Sequence, residues 1–299
     1  MTMVSVIVAL ILGVYAVAVL EEWSITGQFR LAGPLISGLS FLGQESVVPR
    51  RPDRLLFELG PPVLLVAGVA AAIVLPLAPD VILIDLATGG LFINAAWVYI
   101  LVALIMAGWG PNGAYAMVAG WHFLAQLIAY GMLIVMPITT VAMRAESLST
   151  TAIVNSQESV WNVVTQPFGF ILFWLAAMMA CFLPPFDHPL SPGVLSGGVA
   201  GEYTGVRLAV FRLGRLLLVV TLAMAVVVFY LGGWHGPWLP DWAWTGGKTL
   251  TVVAIMLISG RFFPQIRSDH LLTWSWKLGI PIALLNILWT GITLWMVDR

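Results

Sequence analysis

Residues 207–231 read RLAVFRLGRLLLVVTLAMAVVVFYL. Three arginines stand in the first nine positions, and no charge follows from Leu216 to Leu231. A helix of this length exceeds a hydrocarbon core of about 30 Å. Its apolar residues do not alternate, and in lipid a chain must satisfy its own backbone hydrogen bonds. The stretch therefore reads as a membrane-crossing helix and argues against a barrel strand.

Similar runs recur along the whole sequence. Helices are predicted at roughly 3–21, 57–78, 90–108, 113–137, 166–183, 207–231, 249–263 and 276–297, punctuated by Gly60-Pro61-Pro62, Gly110-Pro111-Asn112, Pro184-Pro185, Gly232-Gly233 and Pro264. The 299 residues are 60% hydrophobic and 9% charged, with a mean hydropathy of +0.98. A soluble domain needs more charge to cover its surface. The expected fold is all-α, a polytopic bundle of about eight transmembrane helices in a single membrane domain over 1–299. No internal repeat points to an inverted-repeat transporter. Residues 3–20 lack a basic flank and a small-residue cleavage site, so they are expected to be a retained span and not a signal peptide.

The basic residues test the threading. With eight spans and an external N-terminus, Arg30, Arg50, Arg51, Arg54, Arg207, Arg212, Arg215, Arg261, Arg267 and Lys277 fall on one side, and Arg144, Lys248 and Arg299 on the other. The positive-inside rule makes the ten-residue side the cytoplasm. The expected location is the cell's inner (plasma) membrane, with both termini outside. Cytoplasmic segments are then about 22–56, 184–206 and 264–275. The first contains an apolar stretch, Leu31 to Leu42, that could lie along the interface or fold back into the protein. The external loop Trp234 to Trp244 holds four of the fourteen tryptophans and reads as an interface belt.

A net charge of −1 and the lack of a basic, aromatic-interleaved tract give no sign of a nucleic-acid partner. Cys181 is the only cysteine, which excludes a disulfide framework or a cysteine-ligated cluster within the chain. Neither metal-ligand spacing nor a phosphate-binding glycine loop is found, and no nucleophile motif appears. The polar residues that need explaining are few. Arg212 and Arg215 are neighbours at i, i+3, with Arg207 about 80° around from Arg215. They read either as side chains snorkelling to lipid phosphate or as the basic lining of a cytoplasmic cavity. His122 and Gln126 share a helix face, where His122 reads as a hydrogen-bonded packing residue or a proton carrier. Glu45, Asp187 and Glu202 are the loop carboxylates that a partner could cap.

Three stretches, in order, resemble one family. The first runs from Gln44-Glu45 through Val48-Pro49 and Pro52-Asp53-Arg54 to Phe57 and Pro61. The second links Gly108-Trp109-Gly110-Pro111-Asn112, Ala125-Gln126, Tyr130, Gln166-Pro167, Pro185-Phe186-Asp187 and Glu202-Tyr203-Thr204-Gly205. The third links Gly232-Gly233-Trp234, Lys248, Arg261, Pro264, Arg267, Asp269, Leu271, Trp276-Lys277 and Pro281. Together they are similar to the quinone-chamber membrane subunit (subunit 1, or H type) of respiratory complex I, an NADH:quinone oxidoreductase, and to its group 4 hydrogenase relatives. The resemblance implies a subunit that carries no catalytic residue, metal or cofactor of its own, with quinone as substrate at a subunit interface. It implies peripheral iron–sulfur and quinone-site subunits on the cytoplasmic side, and other membrane-arm subunits beside it in the lipid. Arg30, Glu45, Phe186, Asp187, Glu202, Tyr203 and Arg207 are then expected at the chamber or docking surface. Glu202, His122, Arg212 and Arg215 are expected in a charge relay or cavity lining.

The sequence also departs from that family. Gly131 stands where the family has a glutamate after Tyr130, and Met179-Ala180-Cys181-Phe182-Leu183 replaces Ala-Glu-Thr-Asn-Arg. The acidic run that follows in the family reads His188 to Leu195, without a carboxylate. Buried carboxylates are costly and persist where they have a role. Their loss implies a reduced or altered proton relay. Two other readings remain open: the membrane anchor of a group 4 hydrogenase or formate-oxidising complex, and a non-redox ion-transport or scaffold protein.

Overall fold

A computed structural model describes residues 2–191 and 195–297. Arg299, and residues 192–194 of the expected second cytoplasmic segment, lie outside the described residues. The helices are α1 (Thr2–Thr26), α2 (Gly33–Leu42), α3 (Arg54–Val74), α4 (Gly89–Trp109), α5 (Ala114–Ala145), α6 (Thr150–Asn155), α7 (Asn162–Thr165), α8 (Pro167–Ala180), α9 (Gly205–Tyr230), α10 (Asp241–Phe262), α11 (Ser268–Trp274) and α12 (Ile280–Val297). A 3₁₀ turn covers Leu195–Glu202, and a π-helical turn, Ser275–Gly279, joins α11 to α12.

The run that decides the fold is also its hub. Every residue from Leu217 to Tyr230 in α9 is buried, as expected for a helix that is apolar all round. Small residues let its neighbours approach. A Cβ on Gly214 would lie 3.0 Å from the backbone nitrogen of Leu65, and one on Gly60 would lie 2.9 Å from that of Ala107. α3 is thereby wedged between α9 and α4 in close backbone contact. Asp53 starts α3 by accepting from the Leu56 N–H at 3.4 Å, and its own N–H is held by the Gly110 carbonyl at 2.8 Å.

Among the described residues, seven helices are long and apolar enough to cross a membrane. The eighth expected span is shorter than its sequence suggests: α8 has 14 residues, about 21 Å at 1.5 Å per residue. It still joins the two ends of the bundle, because α7 leads into it and the turn through Cys181 to Leu183 continues it. At one end Asn162 donates to the Phe229 carbonyl at 2.7 Å. At the other, the Ile266 N–H reaches the Pro185 carbonyl at 3.2 Å.

Several boundaries differ from expectation: α1 runs to Thr26, past 21, and α3 ends at Val74, before 78. α5 runs through Pro137 to Ala145, and α10 begins at Asp241, well before 249. The segment 264–275, expected as a loop, is mostly α11, which continues through the π turn into α12. The apolar stretch Leu31–Leu42 forms α2, which has no buried residue and packs along α1 and α9. The Trp234 to Trp244 segment divides. Trp238 and Trp242 are exposed as a belt requires, whereas Trp234 is buried. Trp244 turns toward Lys248, whose ammonium lies 5.5 Å from its ring and 4.3 Å from that of Trp161.

Candidate functional site

α1 touches the bundle through a narrow stripe, with Val6, Val17 and Val19 buried while the rest of its length is exposed or half-buried. Between it and α2, α3 and α9 lies a cavity of about 1580 Å³. Its walls are apolar over most of their length, with Leu10, Val14, Phe41, Leu65 and Leu216 among them. The charged residues on it are Glu21, Glu22, Asp187, Arg212, Arg215 and Arg261. These fall at the end of the bundle where α1 and α10 finish and α9 begins.

The three arginines of α9 reach three different elements. Arg215 pairs with Glu21 of α1 at 2.9 Å. The guanidinium of Arg212 lies 4.6 Å above the ring of Phe41 in α2. Arg207 grips Glu58 of α3 with two hydrogen bonds, Nε at 2.8 Å and Nη2 at 2.6 Å. It also donates to Ser46 Oγ and covers the Phe57 ring at 5.3 Å. Arg212 and Arg215 border the cavity. Arg207 instead binds a carboxylate and the first loop.

The first loop is laid over the start of α9. Thr204 Oγ1 accepts from the Val47 N–H at 2.8 Å and donates to the Glu45 carbonyl at 3.1 Å. Gly205 has φ +61°, and a Cβ there would lie 3.1 Å from the Gln44 carbonyl. A glycine is required on both counts. The Tyr15 hydroxyl donates to the Leu31 carbonyl, and the Glu22 carboxylate occupies the space a Gly33 side chain would take, at the N-terminus of α2. That placement suits the dipole of the helix.

The other expected site residues have varied surroundings. Glu45, Glu202 and Arg30 are exposed, and Glu202 lies beside Gly113. Asp187 borders the cavity and accepts from Gln265 Nε2 at 2.8 Å. Phe186 is buried, and its carbonyl receives Gln126 Nε2 at 3.0 Å. Tyr203 is buried and stacks on Phe57 with ring centres 4.6 Å apart. Its hydroxyl bonds the carbonyls of Phe57 at 3.2 Å and Ala107 at 3.3 Å. It is thus directed between α3 and α4, and burial raises its pKa. His122 Nδ1 is 2.9 Å from the Val118 carbonyl, and its ring lies 6.4 Å from that of His188.

Glu45, Asp187 and Glu202 therefore emerge at one end of the bundle. Among the described residues, the ion pairs Arg207–Glu58, Arg215–Glu21 and Arg267–Asp269 involve none of them. Of the acids in these pairs, Glu21 and Glu58 were not singled out from sequence, nor was Glu22 beside Glu21. Their available signal was position: Glu21-Glu22 closes the first apolar run, and Glu58 stands alone within the second. Among the described residues, no group of three His, Cys, Asp or Glu side chains could hold a metal ion.

Residues 23–291 match a family model described as NADH dehydrogenase. A protein of Geobacter metallireducens, named as an H-type subunit of NADH-quinone oxidoreductase, is 33% identical over 274 residues, which cover 89% of this chain and 83% of the relative.

Proposed function

The chain belongs to the NADH dehydrogenase family, as a relative of subunit 1 of complex I, and on that premise we propose that it forms the membrane wall of a quinone chamber and docks the electron-donating arm. The observation that carries this reading is the cavity of about 1580 Å³. A quinone has a long isoprenoid tail and a polar ring. The cavity offers apolar walls along α1, α3 and α9 and charged groups at one end only, which matches that division.

The end bearing the ten basic residues faces the cytoplasm in this reading, and both termini lie outside. The peripheral subunits sit over Arg30, Glu45 and Glu202, which are exposed there. Arg212, Arg215 and Asp187 border the path of the quinone ring, while Arg207, Phe186 and Tyr203 hold the chamber's floor in place. Electrons come from the partners. This chain supplies shape, solvation and fixed charge.

The proton relay is reduced. Ala180 and Cys181, in the stretch where the family has an acidic residue, are fully buried among apolar side chains. A carboxylate buried at that level is costly unless it is paired and hydrogen-bonded. Purifying the assembly through a tag on this chain tests the reading. Partners bearing iron–sulfur and NADH motifs, NADH-driven quinone reduction, and fewer protons moved per electron than in complex I are expected. A nickel-site hydrogenase partner would reassign the electron donor, and partners of neither kind would overturn the redox role. A full proton-to-electron ratio, or no gain in proton uptake in an assembled Gly131→Glu complex, would overturn the reduced relay.

A further inference from the structure

The segment after α8 lacks the family's carboxylates but brings an imidazole to α5. The rings of His188 and His122 are 6.4 Å apart, inclined at 32°. His122 Nδ1 faces the Val118 carbonyl at 2.9 Å. A carbonyl only accepts, so Nδ1 carries the proton of the neutral ring and Nε2 is left free to accept. His188 Nδ1 is buried and, among the described residues, has no hydrogen-bond partner. Leaving a buried polar nitrogen so costs about 1–3 kcal/mol. With these ring centres, two nitrogens approach to no less than about 4 Å, beyond a direct bond and within the span of one water. The next residue back, Asp187, borders the cavity, and its carboxylate is oriented by Gln265.

We propose that His122 and His188 form a proton-exchange site behind the cavity wall, taking up one proton at a time and passing it to the cavity through Asp187. A hydrated proton forms an N–H bond on an imidazole and leaves water behind. That N–H then breaks as an Asp187 oxygen takes the proton, and no electrons move. Only one ring is charged at a time, because two adjacent imidazolium ions repel. The groups that face His188 are Asp187 from its own segment and His122 from α5, while Gln265 beyond Asp187 is neutral. Burial lowers the His188 pKa, Asp187 raises it and His122 lowers it, so the ring is neutral and able to accept at pH 7.

The functional consequence rests on the quinone reading above, but the site itself is tested without it. The intact complex is taken through a pH-difference infrared titration, following imidazole bands in the native form, His122→Gln, His188→Gln and His188→Asn. Co-purification of the other subunits checks assembly. Loss of one imidazole titration is expected in either His188 variant. In His122→Gln, the His188 titration should move to higher pH, because a repelling neighbour is gone. The acid limb of quinone reduction should move in the same direction. An unchanged His188 titration in His122→Gln, or imidazole bands identical in all four forms, overturns the site. A native complex that titrates as expected yet reduces no quinone counts against the redox reading and leaves the proton site standing.

Discussion

Arg207, Arg212 and Arg215 lie within nine residues of one helix, yet they face a carboxylate of α3, an aromatic ring of α2 and a carboxylate of α1. Arg207→Ala should release the first loop, since both the Glu58 pair and the Ser46 contact are lost. Glu58 is half exposed, so the cost to stability is expected below about 1 kcal/mol. The clearer outcome is faster limited proteolysis between residues 43 and 53. Tyr203→Phe keeps the stack on Phe57 but frees two helix carbonyls of their shared donor. A loss of about 1 kcal/mol is expected from thermal or denaturant unfolding in detergent. His188 adds a pH dependence. Burial holds its folded pKa below the ordinary 6.5, so between those values the unfolded chain binds the extra proton and stability rises with pH. The melting temperature should be steady above about pH 6.5 and decline as the pH falls through the unfolded value. His188→Gln should flatten that decline. Sequence pointed to the arginines because charge in an apolar run is conspicuous. It did not show their partners, because Glu21, Glu58 and Phe41 are distant in the chain and meet them only through packing.

Spans with strong hydropathy were legible as elements; those shaped by tertiary contacts were less so. α3, α4 and α9 begin and end close to where their apolar runs do, because lipid selects on length and polarity alone. α8 is shorter than its run because the chain turns out of the helix at its C-terminus, where Phe182 has φ +55° and the Leu183 N–H bonds back to the Met178 carbonyl at 3.2 Å. α5 is longer because Pro137 sits inside a packed bundle that tolerates the missing N–H. α10 starts early because Lys248 is satisfied by its surroundings. Its ammonium donates to the carbonyls of Leu231 at 2.8 Å, Gly233 at 3.1 Å and His235 at 2.8 Å, between two tryptophan rings. Lys248→Met should therefore unravel the turn after α9 and cost about 2–3 kcal/mol, seen as a lower melting temperature. The missing glutamates make a second contrast. A Cβ at Gly131 meets nothing within 4 Å, whereas Ala180 is fully buried. Gly131→Glu should assemble normally, and Ala180→Glu should not, as judged by yield of the intact complex.

Across the whole molecule, the ends of the bundle and the cavity belong to one design. The arginines of α9 draw α1, α2 and α3 around a space that the helices do not fill, and the carboxylates sit at the end where those arginines enter. Composition and charge distribution carried the sequence reading to a membrane protein whose basic loops share one side. The cavity itself was not legible, because a void is a property of how helices diverge and no residue encodes it alone. Photoaffinity labelling of the purified complex with an azido-quinone, followed by peptide mapping, is the most direct test that quinone occupies this space. Label on residues bordering the cavity, such as Tyr15, Phe41 or Leu216, competed by excess native quinone, is expected. Label confined to other subunits of an assembly that reduces quinone would contradict it.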